Sequence, residues 1–472
     1  MKHIFKYIFT SIFFITLCSA NISYAFKNKT TVFKERRLSF TGQMENGIAV
    51  FVGNKLISYS GDADYDFRQN ADFYYLTGYD KPGAILLIVK GSENKSILFI
   101  KKPSAFSEVY NGVEPTLDEV VELYGFNEAY YSESFDDVFG KLPKSLNKIY
   151  YSFNDSEMNE KINSLFSSDY GKPEEVTDSE NIIKDLRVIK SEKEIELIQK
   201  AIDITNAAHL AAMNNTKPGM NESELEALIE YTFRKNGSPR NGFQSIVGSG
   251  KNSCVLHYQI NNQIIENNVT IVLDIGAEFG NYSADVTRTI PSNGKFTFEQ
   301  KEIYSIVYDA QKLAIEMVKP GIPLTDVHNK TFEVIEQGLY KLGLVTDTTK
   351  NWQTKIWYPH GSSHWLGLDT HDAGDYKFRS GGRILETGMV FTVEPGIYIS
   401  ENVFQLAEKL PSGFIPKDEF INFKNDVSGA FEKYKNIGVR LEDDILVTEN
   451  GYINLSEKAP REIEEIEKIM NK

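Results

Sequence analysis

Two aspartates interrupt apolar, strand-like runs: Asp274 in 269–275 and Asp285 in 282–290. A lone carboxylate inside such a run is expensive to bury unless it is paired or holds a cation. With Phe279 and Gly280 as a two-residue hairpin loop closed by Glu278 and Asn281, Asp274 falls directly opposite Asp285. Cross-strand neighbours lie about 4.5–5.5 Å apart at Cβ, so two carboxylates placed this way could grip one cation or bridge two. The competing reading is a structural ion pair between one of these acids and Arg288.

Further along, the segment 360–371 holds His360, His364 and His371 with glycines between them. Neutral imidazole is a common transition-metal ligand and a proton donor near neutral pH. The run 387–396 reads as an apolar strand ending in Glu394 and a Pro-Gly turn. In 438–444, Arg440 and Glu442 share one face of a strand with Leu441 on the other. Both glutamates therefore sit where a charge is costly, and partnership with arginine is the alternative to a metal. His209 and His328 lie in helix-like segments and read as packed or solvated; Cys254 reads as a small buried hydrophobe.

The elements that must position these groups form an α+β chain. The first part is mixed α/β, with strands expected at 47–52 and 84–89, a hairpin turn at 92–95 and a helix over 117–123. It has no histidine between His3 and His209, which makes it a poor seat for the chemistry. The charged, helically periodic stretch 182–208 marks a boundary, giving domains at 26–185 and 186–472. Within the second, Pro218-Gly219 and Pro320-Gly321 each follow one helix-like run and precede another, the signature of a duplicated helix–turn–helix.

A length of 472 residues exceeds one ordinary core and fits two. A formal charge of −15 excludes a phosphate-backbone partner, so no nucleic acid is expected. Lys2 and Lys6 precede an apolar run over 8–18, and Ser23-Tyr24-Ala25 supplies small residues, so 1–25 reads as a signal peptide and the protein as exported, periplasmic or secreted. A retained, membrane-tethering N-terminal helix is the alternative. After cleavage Cys254 would be the one remaining thiol, so no internal disulfide is expected.

The order Asp274, Asp285, His364, Glu394, Glu442 resembles the five-ligand set of the pita-bread (creatinase/aminopeptidase) metallopeptidases, the family of methionine aminopeptidase, prolidase and aminopeptidase P. The stretches 68–79 and 363–369 are similar to aminopeptidase P in particular. The resemblance spans about 33–460 and implies a mixed α/β N-terminal domain followed by a pita-bread catalytic domain. It implies two divalent ions, manganese first and zinc or cobalt possible, with Asp274 on one, Asp285 and Glu442 bridging, and His364 with Glu394 on the other. It also implies a metal-activated hydroxide, Glu394 as proton shuttle, His257 and His371 around the substrate, His360 on the proline side, and Arg440 beside the bridging glutamate. The activity implied is release of the first residue from peptides with proline second, by a homo-oligomer.

Within that family a prolidase confined to Xaa-Pro dipeptides is the nearest rival. A peptide-binding homologue without catalysis and a metal-free creatine hydrolase are more distant, because both leave the ligand set unexplained. One departure from the shortest family members is 401–435, which reads as an insertion between Glu394 and Glu442. Loops of this kind, close to a site, set substrate preference and oligomer contacts.

Overall fold

The computed structural model describes residues 31–154, 156–167, 173–378, 381–409 and 415–471; the expected signal segment 1–25 lies outside them. The chain divides into two compact units that meet between Leu186 and Arg187. No helix among the described residues is long and apolar enough to cross a membrane.

The first unit is built on a six-stranded sheet. Its order is Glu128–Tyr131, Lys95–Ile100, Ile85–Lys90, Gly47–Val52, Lys148–Tyr151, Glu175–Asp178. The expected hairpin is present, with Ile85–Lys90 antiparallel to Lys95–Ile100 across the 91–94 turn. Parallel pairs flank the central hairpin, Glu128–Tyr131 on Lys95–Ile100 at one edge and, on the other side, Lys148–Tyr151 on Gly47–Val52 and Glu175–Asp178 on Lys148–Tyr151, an arrangement that needs crossover connections. Ile48, Val50, Leu87, Phe99 and Ile149 alternate onto the face that packs against Phe135 and Phe139. The helix Leu117–Tyr124 starts where Thr116 caps the Glu119 amide, and stops at Gly125 in the left-handed region.

In the second unit the duplicated pattern is real. The helices Glu192–Asn215 and Glu222–Lys235 form one pair, and Phe298–Glu316 and Leu324–Lys341 the other. The turn between each pair passes through a glycine at positive φ, Gly219 at 91° and Gly321 at 92°. The helices cover short, curved sheets. Thr270–Ile275 lies between Ile246–Ser249 and Val286–Pro291, and Val390–Val393 pairs with Asp443–Thr448. The core joins Ile204, Phe233, Leu273 and Tyr304 to Trp357, Phe404, Phe423 and Phe431.

Two sequence expectations need correction. The hairpin loop is Gly280-Asn281, at φ 60° and 68°, closed by Phe279 opposite Tyr282. Two positive-φ residues suit the tight hairpin turn, whereas Phe279 would be strained there. The register moves by two, so Asp274 faces Thr287 and not Asp285. The other correction concerns 438–444, which is two strands, Gly438–Arg440 and Asp443–Thr448, with Glu442 in the break.

Candidate metal centre

A register shift of two preserves which side each residue faces, because strand side chains alternate with period two. Asp274 and Asp285 therefore remain on the same face as diagonal neighbours. Asp285 lies just before Val286–Pro291, where the Ala284 amide donates to the Ala277 carbonyl at 3.0 Å. Gly276 makes this bend possible, since a Cβ there would stand 1.9 Å from the Ala284 carbonyl oxygen.

His364 reaches the same place from the opposite sheet. Its carbonyl accepts from the Thr392 amide, which locks the histidine segment to Val390–Val393 and sets Glu394 one residue beyond that strand. From His364 Nε2 the distances are 3.3 Å to Asp285 Oδ2, 3.7 Å to Glu442 Oε1 and 3.8 Å to Glu394 Oε1. Asp285, His364 and Glu442 are all buried, and their donor atoms lie within 4.8 Å of one another.

These residues fit a divalent cation. Asp274 Oδ1, Asp285 Oδ1 and Glu442 Oε1 are buried oxygens without a hydrogen-bond partner, an arrangement that costs free energy unless a cation faces them. Burial raises the Asp285 carboxyl well above its usual range, with Glu442 and Asp274 adding to the effect. Burial, then Glu442, raises Glu394 to about 8. The His364 imidazole is also held well above its usual range: burial opposes this, but hydrogen bonds to Asp285 and Glu442 overcome it. Too many acids share too little positive charge, and bound cations would correct exactly that imbalance of charge.

Around these groups stands a supporting frame. Arg440, buried, donates to Asp274 Oδ2 and to the Tyr398 hydroxyl at 3.0 Å. The same hydroxyl meets His360 Nε2 at 2.9 Å, and His360 Nδ1 lies 3.7 Å from Glu394 Oε2. His371, exposed, stacks on His364 with centroids 4.0 Å apart and planes within 10°. The part of the His371 ring that is covered loses water, and this partial burial lowers the imidazole to about 4, helped by His364 and His257. His257 lies on an exposed turn.

Arg288, the competing partner for the aspartates, is committed elsewhere: it pairs with Asp443 at 2.6 Å, both fully buried. His209 is packed, with Nε2 2.9 Å from the Val286 carbonyl, and burial lowers it to about 3. His328 is half-buried beside the Ser362 hydroxyl at 3.1 Å. Burial pushes the Cys254 thiol up to about 12, away from the thiolate form.

Sequence reasoning missed three contributors. Thr287 donates to Glu442 Oε2 at 2.7 Å and accepts from Arg440 Nε at 3.3 Å. Tyr398 ties His360 to Arg440. Asp372, buried, pairs with Arg187 and with Lys190 at 3.0 Å, which anchors the loop that carries His371. A threonine or tyrosine hydroxyl follows no spacing rule, so only the Arg187 and Lys190 charges at the domain boundary offered a signal.

Residues 196–449 match metallopeptidase family M24, and residues 33–150 match the aminopeptidase P N-terminal domain. The Xaa-Pro aminopeptidase of Haemophilus influenzae is 36% identical over 95% of this chain and 99% of its own length. The human Xaa-Pro aminopeptidase 3 is 32% identical over 89% of this chain and 80% of its own. Among solved structures, a variant of Escherichia coli aminopeptidase P in complex with substrate superposes with a TM-score of 0.84 at 32% identity, covering 94% of this chain and 98% of that one. Two matched domains, full-length relatives and a buried Asp-His-Glu cluster agree, and the chain belongs to the M24 metallopeptidases of the aminopeptidase P type, with an N-terminal α/β domain and a C-terminal pita-bread domain.

Proposed function

We propose that this protein is a metal-dependent aminopeptidase that releases the N-terminal residue from peptides with proline at the second position. The observation that carries the reading is the convergence of Asp285, His364 and Glu442, with unpartnered buried oxygens, in a chain that matches both aminopeptidase P domains. Asp274, Asp285, His364, Glu394 and Glu442 would hold two divalent ions. Four carboxylates and one imidazole make an oxygen-rich donor set, which favours manganese and accommodates zinc or cobalt. Bound there, such ions acidify water and polarise the scissile carbonyl.

The chain's own groups do the rest. Glu394 accepts the proton that the attacking water loses and delivers it to the proline nitrogen as the C–N bond breaks. His371, neutral above about pH 4 and stacked on His364, offers a ring N–H toward the carbonyl oxygen as charge develops. His257 serves the same oxygen from its exposed turn. His360, steadied by the Tyr398 hydroxyl, lines the proline side. Arg440 fixes Asp274 through a charged hydrogen bond. An Xaa-Pro bond lacks an N–H, so recognition must come from the ring's shape.

Export follows from the charged-apolar-small pattern of residues 1–25 alone, and assembly as a homo-oligomer belongs to the same reading. The test is hydrolysis by manganese-loaded protein of Arg-Pro-Pro and Gly-Pro. Release of free arginine from the tripeptide is expected. Cleavage of the dipeptide alone would replace this reading with a prolidase.

A further inference from the structure

The ladder between Val390–Val393 and Asp443–Thr448 ends at the pair Val393 and Asp443. Glu394 follows the first of these residues and Glu442 precedes the second, so two of the candidate ligands lie just past the last rung, one on each chain. The ladder itself does not hold them. Pro395 has no N–H to continue it, and Glu442 lies in the break before Asp443–Thr448. Each glutamate amide donates to a different segment, Glu394 to the Ser362 carbonyl at 2.9 Å and Glu442 to the Thr287 carbonyl at 3.1 Å, so neither bond sets the spacing between the two carboxylates.

A segment near the C-terminus supplies that hold. Arg461 Nη1 donates to Asp443 Oδ2 at 2.6 Å and to Gln311 Oε1 at 3.3 Å, and Gln311 Nε2 donates to the Val393 carbonyl at 3.1 Å. One guanidinium thus grips both residues of the last rung, the first directly and the second through an amide. Gln311 has no exposed surface and shares the buried face of the helix Phe298–Glu316 with Val307, Ala310 and Ala314. An amide is costly in that setting unless both of its ends are bonded, and these two bonds satisfy both. Arg461 is in turn fixed by its neighbours. Tyr304, on the same helix as Gln311, donates to the Arg461 carbonyl at 2.7 Å. Arg288 donates to the Ala459 and Pro460 carbonyls at 3.0 Å each while its Nη1 reaches the Glu442 carbonyl at 2.7 Å.

We propose that Arg461 and Gln311 are positioning residues for the metal centre: they lock the last rung of the ladder and so set the separation of Glu394 and Glu442. The inference rests on the metal-dependent aminopeptidase reading above. A network that served the fold alone would move the melting temperature and leave the affinity for metal unchanged. Manganese affinity is therefore measured by competition with a chelator, below the melting temperature, for Arg461→Met, Gln311→Leu and the double variant, together with kcat and KM for Arg-Pro-Pro. Each single variant should bind manganese roughly tenfold or more weakly, the size expected when a residue that orients a ligand is lost. At saturating manganese kcat should fall by a similar factor while KM stays within about twofold, since the spacing of the two carboxylates matters most in the transition state. The double variant should bind manganese about as well as Arg461→Met, because the two residues act as one chain. An affinity within about twofold of the parent in either single variant, or losses that add in the double variant, would overturn the clamp. If Arg461→Met does not fold, Gln311→Leu, which places an apolar side chain on an apolar helix face, decides by the same criterion. A parent that binds manganese but leaves Arg-Pro-Pro uncut would sink the aminopeptidase reading, and the affinities would still decide the clamp.

Discussion

Replacing Thr287 by valine removes one hydroxyl and keeps the side chain's outline. That hydroxyl is the donor to Glu442 Oε2, at 2.7 Å, in a residue with no exposed surface. Glu442 Oε1 makes no hydrogen bond and only a 3.7 Å ion pair with His364, so the carboxylate would lose its one short side-chain restraint. A hydrogen bond to a charged group contributes about 1.5–3 kcal/mol. At about 1.4 kcal/mol per decade, the variant should lose roughly 10- to 100-fold in metal affinity, as expected when a group that orients a ligand is removed. Arg440 loses its 3.3 Å contact with the same hydroxyl but keeps Asp274 and Tyr398, so the arginine should stay in place. The assay is competition of manganese between protein and a chelator of known affinity, with thermal unfolding as a check on the fold. Thr287→Ser, which retains the hydroxyl, should restore most of the affinity. An intact fold with affinity within twofold of the parent would refute the role given to Thr287.

Two further predictions concern stability. Because burial holds His209 near 3 while an unfolded histidine titrates near about 6.5, the unfolded chain binds more protons between these values, and stability must fall with pH in that window, by about 2 kcal/mol on going from pH 8 to about pH 5. Urea unfolding of His209→Gln across this range should show a shallower slope, and an unchanged slope would count against the assignment. Arg288→Met removes the buried partner of Asp443 and the donor to the Glu442, Ala459 and Pro460 carbonyls; the expected loss is about 3–5 kcal/mol, read from the urea midpoint, and a loss under about 1 kcal/mol would show that Arg461 alone satisfies Asp443.

The carboxylates were legible in the sequence because burying them needs a reason, and that reasoning survived an incorrect register. Moving the hairpin loop from Phe279-Gly280 to Gly280-Asn281 shifted every pair by two and left Asp274 and Asp285 on one face. The turn itself could have been placed correctly, since glycine and asparagine tolerate positive φ and phenylalanine does not. The two helix pairs were visible through their Pro-Gly turns, whereas the break between Arg440 and Asp443 was not, because strand alternation runs through it unbroken. Roles for His257, His360 and His371 came from family resemblance and not from spacing. Thr287, Tyr398 and Asp372 became visible only as contacts between segments far apart in the chain.

The central claim is that cations held by Asp274, Asp285, His364, Glu394 and Glu442 make this chain a peptidase. It is tested most directly by stripping the protein with a chelator, adding back manganese in known equivalents, and following arginine release from Arg-Pro-Pro for the parent and for Asp285→Ala. Activity should be absent after stripping, rise with added metal to a plateau, and stay absent in the variant while its first unit remains folded. Undiminished release in the presence of chelator, or near-parental turnover by Asp285→Ala, would contradict the account.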